Sequence, residues 1–242
     1  MADPHGQRIF SAVNAFDVEG LRRELAAGVD PDMHEYDSEA TPLYYAVCWG
    51  QANPGPRLQE RLGCISLLLE AGASVDKIVR GATPLHRCAG NEFAAYHAVI
   101  AMLLEAGADP NFTYTPQGVT STQYHRSVLA RAAEHGTAAT VRLLISAGAV
   151  DLDRALVVAI TYGKQRNCAP LLRAGAAIPV TITVTPSPTD VYIEKITAAG
   201  GYKAYEKAHR QRLVAMFLAK FPTLPVEMLE RVVGFTWDIG GH

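Results

Sequence analysis

The chain has no hydrophobic run long enough to cross a bilayer. Its apolar stretches, such as Ala155 to Ile160, fall far short of the roughly 18–20 consecutive residues that a membrane helix requires, so no membrane partner is expected. The opening Met1-Ala2-Asp3-Pro4-His5-Gly6 has neither the basic n-region nor the apolar core of a secretory signal, and it lacks the Arg- and Ser-rich character of a transit peptide. Cysteine is scarce. Four occur in 242 residues, at 48, 64, 88 and 168, none at C-x-x-C spacing. This usage excludes a disulfide framework and reads as buried free thiols in a reducing compartment, the cytoplasm, with the nucleus as the alternative. A zinc site begun by His86 and Cys88 finds no further ligands at convergent spacing, so neither metal nor cofactor is expected.

Charge of one sign is also missing. Lys plus Arg number 22 against 24 Asp plus Glu, a net of −2, which is not the footprint of a nucleic-acid binder. The balance is uneven along the chain: residues 1–120 hold 15 acids and 8 bases, residues 121–242 hold 9 acids and 14 bases. That asymmetry is read as ordinary solvated surface, with long-range steering of a partner as the sharper reading. Catalytic signatures are absent: no Gly-x-Ser-x-Gly elbow, no phosphate loop, no His-Glu-x-x-His pair. The histidines are scattered, so no catalytic residue is assigned, and neither an enzyme nor a small-molecule substrate is expected.

What the chain does contain is a phrase that returns. Leu25-Ala26-Ala27-Gly28-Val29-Asp30 comes first, then Leu68-Leu69-Glu70-Ala71-Gly72-Ala73 and Leu103-Leu104-Glu105-Ala106-Gly107-Ala108, with weaker copies ending at Gly148 and Gly175. Each reads as the last turn of an apolar helix closed by a glycine at positive φ. Upstream of two of them stand Thr41-Pro42-Leu43-Tyr44 and Thr83-Pro84-Leu85-His86. In these a threonine caps a helix, and a proline takes the first helical position, where its missing N–H costs nothing. Helix ends recurring at such intervals mean a stacked array, because no single unit covers its own apolar face.

On these motifs the chain resembles the ankyrin repeat. The segment from Gly81-Ala82-Thr83-Pro84-Leu85-His86 to Asp109-Pro110-Asn111 is close to a full match. The resemblance implies an all-α solenoid of five repeats with short hairpin fingers, spanning residues 7–35, 36–76, 77–111, 112–151 and 152–179. The closing glycines at 28, 72, 107, 148 and 175 are spaced by 44, 35, 41 and 27, against roughly 33 for a regular unit. The second repeat therefore carries extra residues, assigned to Gly50–Arg61, and the fourth carries them within Phe112–Tyr124. The fifth is short.

Beyond residue 179 the pattern stops. Residues 180–188 read as a linker or edge strand ending at Pro186-Ser187-Pro188. Residues 189–242 read as a helical cap: a helix to Ala199, a break at Gly200-Gly201, an amphipathic helix from Tyr202 to Phe221 with apolar Tyr205, Ala208, Leu213, Met216 and Phe217, and a last helix opened by Pro225. This tail resembles the closing segment of ankyrin proteins from unicellular algae. Leu224-Pro225-Val226-Glu227-Met228-Leu229 is also similar to the start of an F-box, but only 19 residues remain from Leu224, too few for that helical bundle.

The resemblance implies a non-enzymatic interaction scaffold that holds another protein through hairpin tips and the concave face of the first helices. By position this gives Ser38 and Glu39 at one tip and Arg80 at the next. On the first helices it gives Tyr45 and Trp49, then Arg87 and Asn91, Arg131 and His135, and Tyr162. Tyr, Trp and Arg are the residue types that carry interface energy. Two other readings stay open: a substrate adaptor of a ubiquitin ligase acting through the tail, and a structural subunit of a large complex.

Overall fold

A computed structural model describes residues 4–35, 39–48, 57–114, 126–179, 188–221 and 225–239. The chain divides into two compact units, Met1–Asp151 and Leu152–His242.

The first unit is built from four helix pairs: α1 (Pro4–Ala15) with α2 (Val18–Ala26), α3 (Pro42–Cys48) with α4 (Leu58–Glu70), α5 (Pro84–Ala89) with α6 (Ala95–Glu105), and α7 (Val128–His135) with α8 (Ala138–Ser146). Between α6 and α7, β1 (Thr113–Tyr114) pairs antiparallel with β2 (Arg126–Ser127), flanking the extra residues of the fourth repeat. The first helices pack in a row, α1 on α3, α3 on α5 and α5 on α7, and the second helices pack in a parallel row, α2 on α4, α4 on α6 and α6 on α8. Leu43, Leu68, Leu85, Leu103, Leu129 and Leu144 are fully buried between the rows. Removing such side chains from water, at about 25 cal/mol per Å², is what holds the pairs together.

Local chemistry starts and stops several of the helices where the sequence says. Thr83 Oγ1 accepts from the His86 N–H at 3.2 Å with Pro84 in the first turn. Ser127 caps α7 through the Ala130 N–H at 3.1 Å, Thr137 caps α8 through that of Thr140 at 3.1 Å, and Asp17 caps α2 through that of Gly20 at 2.9 Å. At the other end Gly72 and Gly107 take φ of 89° and 90°. The following alanines then donate back to Leu68 and Leu103 at 2.9 and 3.0 Å, as in a Schellman closure.

Neighbouring pairs are also tied polar group to polar group. Asp32 accepts from the Ser74 N–H at 2.9 Å, and Asp76 accepts from the Asp109 N–H at 3.0 Å. Asn111 then donates to the Gly148 carbonyl at 3.1 Å and accepts from the Val150 N–H at 3.0 Å. One carboxylate or amide per repeat thus satisfies the turn of the next. A buried cation makes a second tie. Arg61, only 1% exposed, donates to the Tyr96 hydroxyl at 2.9 Å and lies 5.0 Å from the Phe16 ring centroid, spanning three repeats. The insertion expected over Gly50–Arg61 is thereby corrected at its end. Helix α4 begins at Leu58, because Arg61 belongs to a buried helical face.

The second unit holds α9 (Leu152–Thr161), α10 (Gln165–Arg173), α11 (Pro188–Ala198), α12 (Tyr202–Lys220) and α13 (Val226–Ile239). Helix α9 packs on α10, α11 and α12 both reach α10, and α13 packs on α12. Arg173 of α10 donates through Nε and Nη2 to Glu206 Oε1 of α12 at 3.2 and 3.1 Å, and the Tyr192 and Tyr205 rings meet edge to face at 5.6 Å. The segment read as linker or edge strand lies outside the described residues apart from Pro188, which opens α11. The amphipathic reading of α12 needs correction at its far end. Tyr205, Ala208 and Leu213 are half-buried, but Met216 and Phe217 are 59% and 38% exposed. Spacing marks an apolar stripe without saying how far its neighbours extend. No helix among the described residues is long and apolar enough to cross a membrane.

Two glycine substitutions separate conformation from contact. A Cβ on Gly72 meets nothing within 4 Å, so Gly72→Ala should cost only the left-handed backbone penalty of about 1–2 kcal/mol. A Cβ on Gly136 would stand 2.5 Å from the Ala89 carbonyl oxygen and 2.8 Å from that of Ala132. Gly136→Ala should therefore be the more destabilising in urea titrations of the two variants.

Candidate protein-binding face

The exposed side of the row α3, α5 and α7 is where the sequence-predicted residues converge in the first unit. These helices are short, and their caps fix where each starts. Side chains four apart then share a face. On α3 this brings Tyr44 and Cys48 together. On α5 it selects Arg87, followed by Gly90 and Asn91, and on α7 Arg131 and His135.

Arg87 and Arg131 are half-buried, and in each the Nε is buried without a hydrogen-bond partner. Tyr44 lies beside Arg87, and burial pushes its phenol up against the opposing pull of Arg87 and Arg80. Arg131 lies along Gly90, where a Cβ would come 3.0 Å from its Nε and 3.2 Å from its Cγ. The glycine makes room for the stem. Burial and then the neighbouring Arg87 and Arg126 pull the Arg131 guanidinium down from its ordinary range. Burial pushes the Cys48 thiol up to about 12 despite the nearby arginines, and Cys88 is pushed up as well. Neither thiol is poised as a nucleophile.

Arg126, at the base of the hairpin, is neutralised. It pairs with the buried Glu134, whose other oxygen lies 3.2 Å from His135 Nε2. His86 is buried under the same hairpin, with the Tyr114 ring stacked at 5.4 Å and Phe112 edge-on at 5.9 Å. Its nitrogens make no well-formed hydrogen bond, although the Arg126 backbone is adjacent. Burial, then Arg131, lowers its pKa to about 4.

Arg80 is placed by its turn. Val79 and Ala82 exchange backbone hydrogen bonds of 2.9 and 3.1 Å across a two-residue loop in which Arg80 and Gly81 have φ of 49° and 80°. Arg80 therefore sits exposed at a hairpin tip, as predicted from the repeat. Glu39 is exposed. Asn91 is half-buried, with its Oδ1 accepting from the Phe93 N–H at 3.0 Å, and His135 is exposed beside Glu134. Tyr162 is 48% exposed and belongs to the second unit. Ser38 and Trp49 lie outside the described residues.

Tyr45 is the correction. It is 6% exposed, its ring packs edge-on against Phe10 at 5.2 Å, and its hydroxyl donates to Glu35. It faces the preceding repeat and is not a docking side chain. Its neighbour Tyr44 is the residue on the exposed side. Counting along the repeat gives no sign of this, since Tyr44 fills in Thr41-Pro42-Leu43-Tyr44 the place that the buried His86 fills in Thr83-Pro84-Leu85-His86. Arg126 was also missed, because only strand pairing brings it beside α7. Among the described residues no group of three His, Cys, Asp or Glu could hold a metal ion.

A family model for ankyrin repeats, in three copies, matches residues 10–114. Among solved structures, the crystal structure of the human ASB11 ankyrin repeat domain is similar over 70% of this chain and 69% of that chain, at 24% identity and a TM-score of 0.52. No curated protein matches. The fold is thus that of an ankyrin-repeat array, and ankyrin repeats imply a protein–protein interaction role; no enzyme family is indicated.

The depressed His86 pKa makes a stability prediction. The folded state disfavours the imidazolium, so the unfolded chain takes up more protons below the ordinary value of 6.5. This contribution to stability is therefore complete at neutral pH and is lost as pH falls from 6.5 toward about 4. In urea titrations the difference in midpoint between wild type and His86→Gln should shrink across that window.

Proposed function

We propose that the chain is a non-enzymatic interaction scaffold that holds a partner protein on the exposed side of α3, α5 and α7 and at the Arg80 tip. The observation that carries this reading is the fixed presentation of Tyr44, Arg87 and Arg131. Each springs from a short capped helix seated on a filled core, and the Arg131 stem lies along Gly90. Side chains already ordered in the free protein lose little entropy on binding. Cys64, Cys88, Cys168 and His86 are buried and serve packing. The scaffold works within the cell, in the cytoplasm or nucleus, and needs no cofactor. The last helices, whose sequence resembles the closing segment of algal ankyrin proteins, cap α10.

A second reading concerns the tail. Met216, Phe217, Phe221, Val226 and Met228 are large, apolar and exposed in one unit. This favours a further docking role for α12 and α13, the division of labour that a ubiquitin-ligase substrate adaptor requires.

Both readings are tested by affinity capture with the full chain. Arg87→Ala should weaken the captured partner by about 1–3 kcal/mol while leaving the thermal melt in place. Unchanged affinity for a verified partner would remove the assigned face. For the tail, Met216→Glu with Met228→Glu should release a second protein and retain the first. Retention of both ends the adaptor reading.

A further inference from the structure

Arg87 and Arg131 lie near one another on the exposed side of α5 and α7, and Arg80 is exposed at the hairpin tip. Among the described residues neither Arg87, Arg131 nor Arg80 forms a salt bridge, whereas Arg126, Arg173 and Arg210 each have a carboxylate partner. Residues 49–56 and 115–125, the two inserted stretches of the first unit, contain no Asp or Glu. The insertions therefore cannot supply the missing anions. Burying guanidinium groups side by side without counter-charge is costly, through both desolvation and mutual repulsion. A fold optimised for stability alone would not keep the arrangement.

We infer that this face recognises an acidic segment of its partner, a short peptide whose Asp or Glu carboxylates sit between Arg87, Arg131 and Arg80. The inference rests on the scaffold reading above and names the chemistry of its partner. A carboxylate matches the planar fork of a guanidinium, and the side chains of Arg87 and Arg131 are each partly exposed. Tyr44 flanks Arg87, and Gly90 supports the geometry by admitting the Arg131 stem. The surroundings limit the length of the ligand. Residues 1–120 carry 15 acids against 8 bases, a net negative charge that disfavours a long polyanion such as RNA.

The test uses the full chain and a fluorescent eight-residue peptide of alternating Glu and Asp, with its Lys counterpart, a short single-stranded RNA and inorganic phosphate as competitors. The acidic peptide should bind and the Lys peptide should not. Binding should weaken at least about tenfold between about 50 and about 500 mM salt, as expected for a charge-dominated contact. Arg87→Gln and Arg131→Gln should each weaken it by about tenfold or more, and Arg142→Gln on α8 should leave it unchanged.

A second readout does not depend on the peptide. Because Arg131 is unpaired and repelled by its neighbours, Arg131→Gln should melt at or above the wild-type temperature. An arginine retained only for structure would give a lower melt. A lower melt, no binding of the acidic peptide, binding insensitive to both arginines, or tighter binding of RNA or phosphate would each overturn the inference. If the acidic peptide fails while Arg87→Ala still weakens a verified partner, the acidic chemistry is wrong and the scaffold stands. If Arg87→Ala also leaves that partner untouched, both readings fall.

Discussion

No helix pair in this chain can bury its own apolar face. Helices of six to thirteen residues, such as α5 and α4, are too short to be stable in isolation, and each becomes ordered because a neighbouring pair covers it. Everything else in the first unit is arranged around that dependence. The caps stop each helix at the right length, the glycine closures turn the chain back, and two rows of helices sandwich the leucines between them. The exposed side of the first row is what the stacking leaves over. Its side chains are positioned by their neighbours' packing as much as by their own helix.

The parts of this architecture that are local in sequence were legible. Thr83-Pro84 announces the start of α5 because a hydroxyl three residues away satisfies an N–H, and Gly107 announces the end of α6 because only glycine takes that backbone at little cost. What could not be read is what joins repeats. Asp32 sits 42 residues from Ser74, Asn111 sits 37 from Gly148, and Arg61 sits 35 from Tyr96. Each looks like an ordinary surface residue until the stack brings its partner alongside. Arg61 is the sharpest case, a charged residue in a presumed insertion that proves to be among the most buried side chains.

The binding face divides in the same way. Arg87, Arg131 and Arg80 follow from counting positions within a repeat, and the structure brings the first two together beside Tyr44. Tyr45 occupies in its repeat the position that Arg87 and Arg131 occupy in theirs, yet its ring meets Phe10 and its hydroxyl meets Glu35, so counting positions does not separate it from them. That Arg126 is neutralised by Glu134 while Arg131 is not depends on where β2 delivers Arg126 relative to α7. No count along the chain provides that.

The hydrogen bonds of Asp32, Asp76 and Asn111 lie in the turns that follow the second helices, outside residues 49–56 and 115–125, where the second and fourth repeats have gained length. Repeat pitch and loop length are therefore controlled by different residues. The glycine spacings of 44 and 41 coexist with the same turn-to-turn bonding as the spacing of 35. The scaffold can thus accept foreign segments at residues 49–56 and 115–125 and keep its register, which makes those two places natural grafting points for new recognition loops.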